Sequence, residues 1–259
     1  MTTYDAHYPD LAGKVAVVTG GSRGLGAESA RALARNGALV VVSGRDESAI
    51  GAVLDDIRRA EGLAIGCPAD VTDATALARL RDVTQREFGP ADILLAFAAG
   101  GRARPGPIHT TTEADWRSTV DGSLTSTFLT LKTFLPDMAD RGSGSVLTMA
   151  SLAARRAATG APAAYIAAKA GVVALTKEAA AQYGPRNVRI NCLSPSTVRT
   201  EQIERVMPEE FRERVTALHP LRRLGLPADV AAVTLFLASS ASSWLTGLTV
   251  DVDGGRTLV

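Results

Sequence analysis

Short apolar runs rich in β-branched residues alternate along this chain with longer segments in which apolar residues recur at helical spacing. Strands buried on both faces are nearly continuous in hydrophobic residues, so this alternation is typical of a parallel β-sheet covered by helices. The pattern predicts strands at residues 15–19, 38–43, 63–68, 93–98, 145–150, 188–193 and 248–252. It predicts helices at residues 27–36, 47–61, 74–88, 113–141, 164–183 and 228–239. The expected fold class is therefore α/β.

The same pattern predicts a single domain over residues 1–259, because no linker, repeat or charge block divides the chain. The segment 201–218 differs from the rest, since it mixes many charges with a set of apolar residues. These residues are Ile203, Val206, Met207, Phe211, Val215 and Leu218. We expect an amphipathic flap there, at about residues 200–220, that helps to select the substrate.

Composition and charge exclude several classes of protein. A hydrophobic content of 46% excludes disorder, and a formal charge of +1 gives no reason to expect a nucleic acid or an anionic membrane as partner. The uncharged stretch 230–250 is interrupted by serines, which favours a helix, a turn and a strand over a membrane span. The first 14 residues lack the features of a signal peptide, and Cys67 and Cys192 stand alone. We therefore expect a cytoplasmic protein with reduced, buried cysteines.

A glycine-rich loop follows the first predicted strand and precedes a helix. Residues 19–26 read Thr-Gly-Gly-Ser-Arg-Gly-Leu-Gly. Glycines let the backbone approach a pyrophosphate, and a helix N-terminus offers unpaired N–H groups to it. The alternative is a purely structural turn that packs the helix against the strand. The order of strand, loop and helix favours a loop that binds a dinucleotide. The predicted contacts are Gly20, Ser22, Arg23, Gly24, Leu25 and Gly26.

The end of the second strand bears on which dinucleotide binds. An acidic residue that holds the adenosine ribose of NAD is usual there, but this chain has Gly44 followed by Arg45. A guanidinium at this place, helped by Arg23, suits a 2′-phosphate and predicts NADP(H). Asp46 is the residue that would support NAD(H) instead, and Arg45 would then be a solvated loop residue.

Asp70 and Val71 follow the third predicted strand, which places them at the adenine edge of the same site. The alternative for Asp70 is a helix cap for the segment that starts at Thr72.

Tyr165 and Lys169 are four residues apart in a predicted helix, so their side chains share one face. A nearby ammonium stabilises phenolate and lowers the pKa of about 10 of a tyrosine, which makes it a usable acid or base. Ser151, at the end of the fifth strand, offers a hydroxyl to orient a carbonyl oxygen. A Tyr-x-x-x-Lys pair also occurs by chance on helix surfaces; its position behind a nucleotide loop is what makes it informative.

Taken together, these residues make the sequence resemble the short-chain dehydrogenase/reductase family over residues 11–255. The C-terminal segments that carry the resemblance, besides the glycine loop and the Tyr-Lys pair, are Pro220-Leu221, Arg223-Leu224-Gly225, Pro227, Asp229-Val230-Ala231, Phe236-Leu237-Ala238-Ser239, Thr246-Gly247 and Asp253-Gly254-Gly255. The resemblance is to the compact one-domain branch that includes 3-oxoacyl-carrier-protein reductases.

The resemblance implies a Rossmann-like, doubly wound parallel sheet of about seven strands, assembled as a homotetramer through the long helices. It implies that Tyr165 exchanges a proton with the substrate oxygen, that Ser151 orients this oxygen, and that Lys169 holds the nicotinamide ribose and lowers the pKa of Tyr165. Further cofactor contacts follow by position, and these are Phe97, Ala98, Pro195, Val198 and Thr200.

The chain departs from the family pattern in three places. Ser123 stands where the family has an Asn that holds a proton-relay water, so we expect Ser123 to position this water with one short hydroxyl. Phe97 and Ala99 interrupt the family's Asn-Asn-Ala-Gly segment, and Ser196 replaces the Gly after Pro195. These changes put proton delivery in question more than cofactor binding.

Other chemistries find little support. No Gly-x-Ser-x-Gly motif is present, and no metal-ligand spacing of His, Cys or carboxylates occurs, so we expect no metal. His7, His109 and His219 are expected to be surface or loop residues.

The function expected is NADP(H)-dependent reduction of a ketone, or oxidation of the secondary alcohol, on a small-molecule or carrier-bound substrate. The alternatives are a nucleotide-binding protein with weak or no turnover, and a non-redox reaction on an activated carbonyl. Arginines near the predicted mouth fit an anionic or carrier-bound substrate, although arginines in such loops are more often solvated. They are Arg102, Arg104, Arg155 and Arg156.

Overall fold

The sheet is seven-stranded and parallel throughout, as the alternation of strands and helices predicts. A computed structural model describes residues 7–156 and 160–258. The two ends of the predicted domain, residues 1–6 and 259, lie outside the described residues. The first six residues of the N-terminal segment, where no signal peptide is expected, are therefore outside them as well. The strands run in the order β3-β2-β1-β4-β5-β6-β7. Their bounds are β1 Val15–Thr19, β2 Leu39–Gly44, β3 Leu63–Pro68, β4 Ile93–Ala96, β5 Gly144–Met149, β6 Val188–Pro195 and β7 Thr249–Val252.

Helices cover both faces of the sheet. Their bounds are α1 Gly24–Arg35, α2 Glu47–Arg59, α3 Ala74–Glu87, α4 Glu113–Val120, α5 Ser126–Arg141, α6 Ala163–Tyr183, α7 Glu201–Val206, α8 Glu209–Ala217 and α9 Pro227–Ala238. The prediction of one regular helix over residues 113–141 is wrong in detail, because a π-helical turn at Asp121–Thr125 separates α4 from α5. Gly122 packs there against Gly100, so closely that a Cβ on Gly122 would lie 2.9 Å from the Gly100 carbonyl carbon.

The side chains of β1 show how the two layers are filled. Ala16 and Val18 point into the cluster formed with α1, α2 and α9, whereas Val17 points into the cluster formed with α3, α5 and α6. All three are fully buried. This explains why the strand is apolar at every position, since each face packs on helices.

The order of the strands determines where a ligand can bind. β1 pairs with β2 on one side and with β4 on the other, so the chain changes direction across the sheet between β1 and β4. In doubly wound folds, ligands bind outside the carboxyl ends of the strands at this point. The strand predicted at 93–98 ends earlier, at Ala96, so that Phe97 and Ala98 belong to the loop at this edge.

The uncharged stretch 230–250 forms the end of α9, a turn of 3-10 helix at Ser240–Ser242, and the start of β7. Among the residues described, none of the helices combines the length and the hydropathy that a membrane crossing requires.

Candidate active site

A cleft with a volume of about 1510 Å³ opens at the carboxyl edge of the sheet. One end is formed by the glycine loop and the ends of β2 and β3, the middle by the ends of β4, β5 and β6, and the far end by α7 and α8. Most of the residues predicted as cofactor contacts line this cleft. They are Gly20, Ser22, Arg23, Gly24, Leu25, Gly26, Arg45, Asp70, Val71, Phe97, Ala98, Pro195, Val198 and Thr200.

The glycine loop is shaped as an open cradle. Gly20 has a φ of +68°, and a Cβ there would lie 2.8 Å from the backbone of Ala98. A Cβ on Gly26 would lie 2.2 Å from the carbonyl oxygen of Gly20, so neither position accepts a side chain without movement. Helix α1 begins at Gly24, and no side chain caps its N-terminus. The loop therefore leaves backbone N–H groups and the positive end of the helix dipole available for a phosphate, and these residues fit a dinucleotide.

Charged groups at the end of β2 are arranged differently from the sequence expectation. Arg23 forms an ion pair with Asp46, whose pKa is lowered by the hydrogen bond from the Ala49 N–H and by Arg23. Asp46 also caps α2, so the carboxylate that would favour NAD(H) already has two roles in the fold. Arg45 is exposed and forms no ion pair with any residue in the described ranges. It is therefore the cation at this end that is open to a ligand.

Asp70 lines the cleft and also stabilises its own turn. Its Oδ1 accepts hydrogen bonds from the Thr72 N–H at 2.9 Å and the Thr72 hydroxyl at 2.7 Å, which lowers the pKa of Asp70. The cap of α3 is Asp73, whose carboxylate accepts from the Thr75 N–H. The helix cap is therefore Asp73 and not Asp70.

Ser151, Tyr165 and Lys169 meet in the middle of the cleft. Ser151 follows β5, while Tyr165 and Lys169 lie one turn apart on α6. The Ser151 hydroxyl lies near enough to the Tyr165 phenol to lower the pKa of the phenol. The Lys169 ammonium lies 5.8 Å from the centre of the Tyr165 ring. The three groups therefore stand beside one another and next to the glycine cradle.

The electrostatics of this group differ from the expectation that Lys169 lowers the pKa of Tyr165. Burial raises the pKa of the Tyr165 phenol, and the Ser151 hydrogen bond offsets this only in part. The Lys169 Nζ donates to the carbonyl oxygen of Met149 at 2.7 Å, and burial lowers the pKa of Lys169 to about 8. Because burial raises its pKa, Tyr165 is in the protonated, acid form at neutral pH.

Ser123 does not reach the cleft, in contrast to the expectation that it positions a relay water. It is fully buried in the π-helical turn, and its hydroxyl donates to the carbonyl oxygen of Gly100 at 3.0 Å. Its own carbonyl oxygen accepts from the Thr127 hydroxyl at 2.8 Å. Ser123 thus ties the loop after β4 to α5, which is a structural contact rather than a proton-transfer one.

Replacing Ser123 with Ala is expected to lower the free energy of unfolding by about 1 kcal/mol, because one part-buried hydrogen bond is lost. Ser126→Ala is the matched control, since the Ser126 hydroxyl lies in the same helical segment, is equally buried and has no hydrogen-bond partner. Denaturation in urea measures both. Equal stability of the two variants would show that the bond to Gly100 contributes nothing.

Phe97 belongs to the core as well as to the cleft wall. It is 7% exposed and packs in the cluster that contains α1 and α9, so its ring does not plug the cleft. Pro195 ends β6, and Val198 pairs with Gly225 in a short parallel bridge. Thr200 caps α7 by accepting from the Ile203 N–H at 3.3 Å. The loop from β6 to α7 is therefore held against the glycine loop, where Thr200 lies next to Gly24.

The predicted flap is the helix pair α7 and α8, which covers the far end of the cleft. Its apolar residues mostly face inward and line the cleft, as an amphipathic flap requires. These are Ile203, Met207, Phe211, Val215 and Leu218. Val206 does not belong to the lining; it is 60% exposed on the outer side.

His219 lies in the turn after α8, in agreement with the expectation of a surface or loop residue, but it is buried instead of lying on the surface. It is 1% exposed, and its Nε2 lies 2.9 Å from the Ser196 hydroxyl. Its Nδ1 lies 2.8 Å from the carbonyl oxygen of Val215 in α8. No local motif announces this contact, because the partner Ser196 is 23 residues away. His7 and His109 are exposed, as expected.

The arginines singled out near the mouth separate into two groups. Arg102 and Arg104 are exposed and do not line the cleft. Arg155 is paired with Asp251, whereas Arg156 donates to the carbonyl oxygen of Arg256, a cleft residue. Within the part of the chain that the structure describes, no group of His, Cys, Asp and Glu is placed to hold a metal ion. Cys67 and Cys192 are free and buried.

A doubly wound sheet with a glycine cradle at the point where the chain changes direction, between β1 and β4, defines the class of Rossmann-like nucleotide-binding proteins. The sequence model of the family described as enoyl-(acyl carrier protein) reductase matches residues 20–257. The chain is 38% identical to cis-4-hydroxycyclohexanecarboxylate dehydrogenase of Sinomonas cyclohexanicum, over 96% of this chain and 98% of that protein. It is 35% identical to 3-oxoacyl-(acyl-carrier-protein) reductase of Chlamydia pneumoniae, over 95% and 98% of the two chains.

Among solved structures, 7α-hydroxysteroid dehydrogenase in complex with NADH and 7-oxo glycochenodeoxycholic acid superposes with a TM-score of 0.90 at 33% identity. The match covers 98% of each chain. The chain therefore belongs to the short-chain dehydrogenase/reductase family. This family consists of oxidoreductases that act on hydroxyl or carbonyl groups of small molecules with a nicotinamide cofactor.

Proposed function

We propose that this protein is an NADP(H)-dependent reductase of ketones, with Ser151, Tyr165 and Lys169 as its catalytic group. The observation that carries the proposal is the placement of Ser151, Tyr165 and Lys169 in the cleft that also contains the glycine cradle, with the Lys169 ammonium 5.8 Å from the centre of the Tyr165 ring. The relatives named above act on ring alcohols and on an oxoacyl group, which favours a secondary alcohol or ketone as the reacting group.

In the proposed reaction the bound cofactor supplies a hydride to the carbonyl carbon. Tyr165 donates its phenolic proton to the carbonyl oxygen, and the Ser151 hydroxyl donates a hydrogen bond to the same oxygen. Burial raises the pKa of Tyr165, which keeps the proton in place until the oxygen gains negative charge. Lys169 would hold the ribose of the nicotinamide, since in the structure its ammonium faces the Met149 carbonyl oxygen and does not lower the pKa of Tyr165.

The first test is consumption of NADPH, followed at the nicotinamide absorbance band, with a panel of cyclic and acyclic ketones. The proposal expects turnover with at least one member of the panel. A protein that binds NADPH but turns over none of them would be the nucleotide-binding alternative instead.

Arg45 is the basis for proposing NADP(H) over NAD(H). Replacing Arg45 with Asp is expected to lower the ratio of kcat/KM for NADPH over NADH at least about tenfold, because a charge-assisted contact to the 2′-phosphate becomes a repulsion. Arg104→Asp makes the same charge change at an exposed arginine outside the cleft and is expected to leave the ratio unchanged. An unchanged ratio in Arg45→Asp would refute the assignment of the phosphate to this residue.

The homotetramer and the cytoplasmic location stay predictions from the resemblance and the sequence. Light scattering of the purified protein tests the tetramer directly.

A further inference from the structure

The far end of the cleft contains a part-buried guanidinium whose charge is not neutralised. Arg256 lies in a single 3-10 turn at Arg256–Leu258 and lines the same cleft as Ser151 and Tyr165. Its Nη1 donates to two neutral hydroxyls, Ser196 at 3.3 Å and Thr197 at 3.5 Å. Arg256 forms no ion pair with any residue in 7–156 or 160–258. Within the described residues, Nε and Nη2 of Arg256 have no protein acceptor, so these donors are open to solvent or to a ligand.

The carboxylates closest to Arg256 are occupied by other contacts. Asp253 accepts from the N–H groups of Gly255 at 2.9 Å and Thr257 at 2.7 Å. Asp251 is paired with Arg155 at 2.8 Å. Burial lowers the pKa of Arg256 and the charge of Asp253 acts to raise it, but neither carboxylate forms an ion pair with the guanidinium.

Arg156 brings a second guanidinium to the same place. Its Nη1 donates to the carbonyl oxygen of Arg256 at 2.6 Å. The pKa of Arg256 is lowered by burial and, next, by the charge of Arg156. On the flap side, Arg205 and Arg214 also line the cleft, with Glu201 as the acidic lining residue at this end. Positive charge therefore prevails here, and an anion bound between the guanidiniums relieves their repulsion.

His219 fixes the orientation of Arg256 through Ser196. A carbonyl oxygen only accepts, so the contact with Val215 makes Nδ1 the protonated nitrogen of His219. Burial lowers the pKa of His219, so the ring is neutral at neutral pH and its Nε2 accepts the Ser196 proton. The Ser196 oxygen is then free to accept from Arg256. The guanidinium is thus preorganised by a chain of contacts that begins in α8.

We propose that Arg256, with Arg156, binds an anionic group of the ketone substrate, a carboxylate or a phosphate. The proposal rests on the proposed function, since it names the substrate class of the same cleft. The reacting carbonyl lies at Ser151 and Tyr165, and the anion lies at the far end under the flap. A planar guanidinium with two free donors matches the two oxygens of such a group.

A binding experiment tests this without requiring turnover. Cyclohexanecarboxylate, cyclohexyl phosphate and cyclohexanecarboxamide are titrated by calorimetry into the protein, with and without NADP⁺. The proposal expects at least one of the two anions to bind about 10- to 100-fold more tightly than the amide, because charge-assisted hydrogen bonds are the strong ones. The anion that binds more tightly shows whether the site is specific for a carboxylate or for a phosphate. Equal binding of both anions and the amide would overturn the proposal.

Variants of Arg256 test whether this residue causes the preference for an anion. Arg256→Gln keeps hydrogen-bond donors but removes the charge, and is expected to abolish the preference for the anion; Arg256→Lys is expected to restore part of it. Arg222→Gln is the matched control, because Arg222 is exposed and lies outside the cleft lining. An anion preference that survives in Arg256→Gln contradicts the assignment.

Kinetics separate this inference from the proposed function. The ratio of kcat/KM for 4-oxocyclohexanecarboxylate over its methyl ester is compared in the wild type and in Arg256→Gln. Equal reduction of acid and ester by the wild type contradicts the anion site and leaves the reductase intact. If neither is reduced, nor any other ketone, the reductase proposal fails and the calorimetric result alone decides on the anion site.

Discussion

Replacing Tyr165 with Phe is expected to lower kcat for ketone reduction by about 10²- to 10⁴-fold, the usual contribution of a general acid. The change removes the phenol oxygen beside Ser151, while the ring and the cradle for the cofactor stay in place. NADPH binding is therefore expected to be retained, which fluorescence titration checks. Tyr183→Phe, at the other end of α6, is the control and is expected to keep full activity.

The pH dependence gives an independent view of the same group. Burial raises the pKa of Tyr165, so the phenol is protonated throughout the neutral range and reduction is expected to be insensitive to pH there. Oxidation of the alcohol needs the phenolate, so its rate is expected to rise with pH. Opposite profiles, or unaltered turnover in Tyr165→Phe, would remove Tyr165 from the mechanism.

Replacing Lys169 with Met is expected to lower activity at least about 100-fold and yet to stabilise the fold. The ammonium is 2% exposed and has one partner, the Met149 carbonyl oxygen. The difference between the ordinary pKa of 10.5 and the value of about 8 in the fold corresponds to a cost on the order of 3 kcal/mol. Leaving the Met149 carbonyl unpaired costs about 1–3 kcal/mol, so we expect a net stabilisation of about 1 kcal/mol.

The effect of Lys169→Met on the free energy of unfolding is expected to depend on pH. Between pH 8 and 10.5 the unfolded chain holds the Lys169 proton more tightly than the folded one, so wild-type stability gains as pH rises through this window. The advantage of Lys169→Met is therefore expected to be full below pH 8 and to be lost progressively as the pH rises from 8 to 10.5. Lys177→Met, an exposed lysine on the same helix, is the control, expected to change stability by less than about 0.5 kcal/mol. A pH-independent difference for Lys169→Met would mean that its ammonium is not buried.

Local patterns were enough to predict the fold and much of the cleft. All seven predicted strand ranges agree with the observed strands to within two residues at each end, because buried parallel strands are apolar throughout. The glycine loop and the Tyr165–Lys169 pair were also predictable, because each of them is a local motif contained in one loop or one helical turn.

What the sequence did not show depends on contacts between distant residues. The π-helical turn arises where Gly122 meets Gly100, and the burial of His219 arises where it meets Ser196. The direction of the pKa shift at Tyr165 follows from its burial, which side-chain spacing alone does not reveal. For the same reason Arg256 was not a candidate, because it reaches Ser196 across 60 residues.

The most direct test of the central claim is the transfer of the hydride itself. The protein is incubated with a ketone that it reduces and with NADPH deuterated at C4 of the nicotinamide, using each of the two stereoisomers in turn, and the alcohol is analysed by mass spectrometry. The account predicts that one stereoisomer delivers a single deuterium to the carbinol carbon in the wild type, and that Tyr165→Phe forms this product far more slowly. Alcohol without deuterium from both stereoisomers, or equal rates in the two proteins, would contradict it.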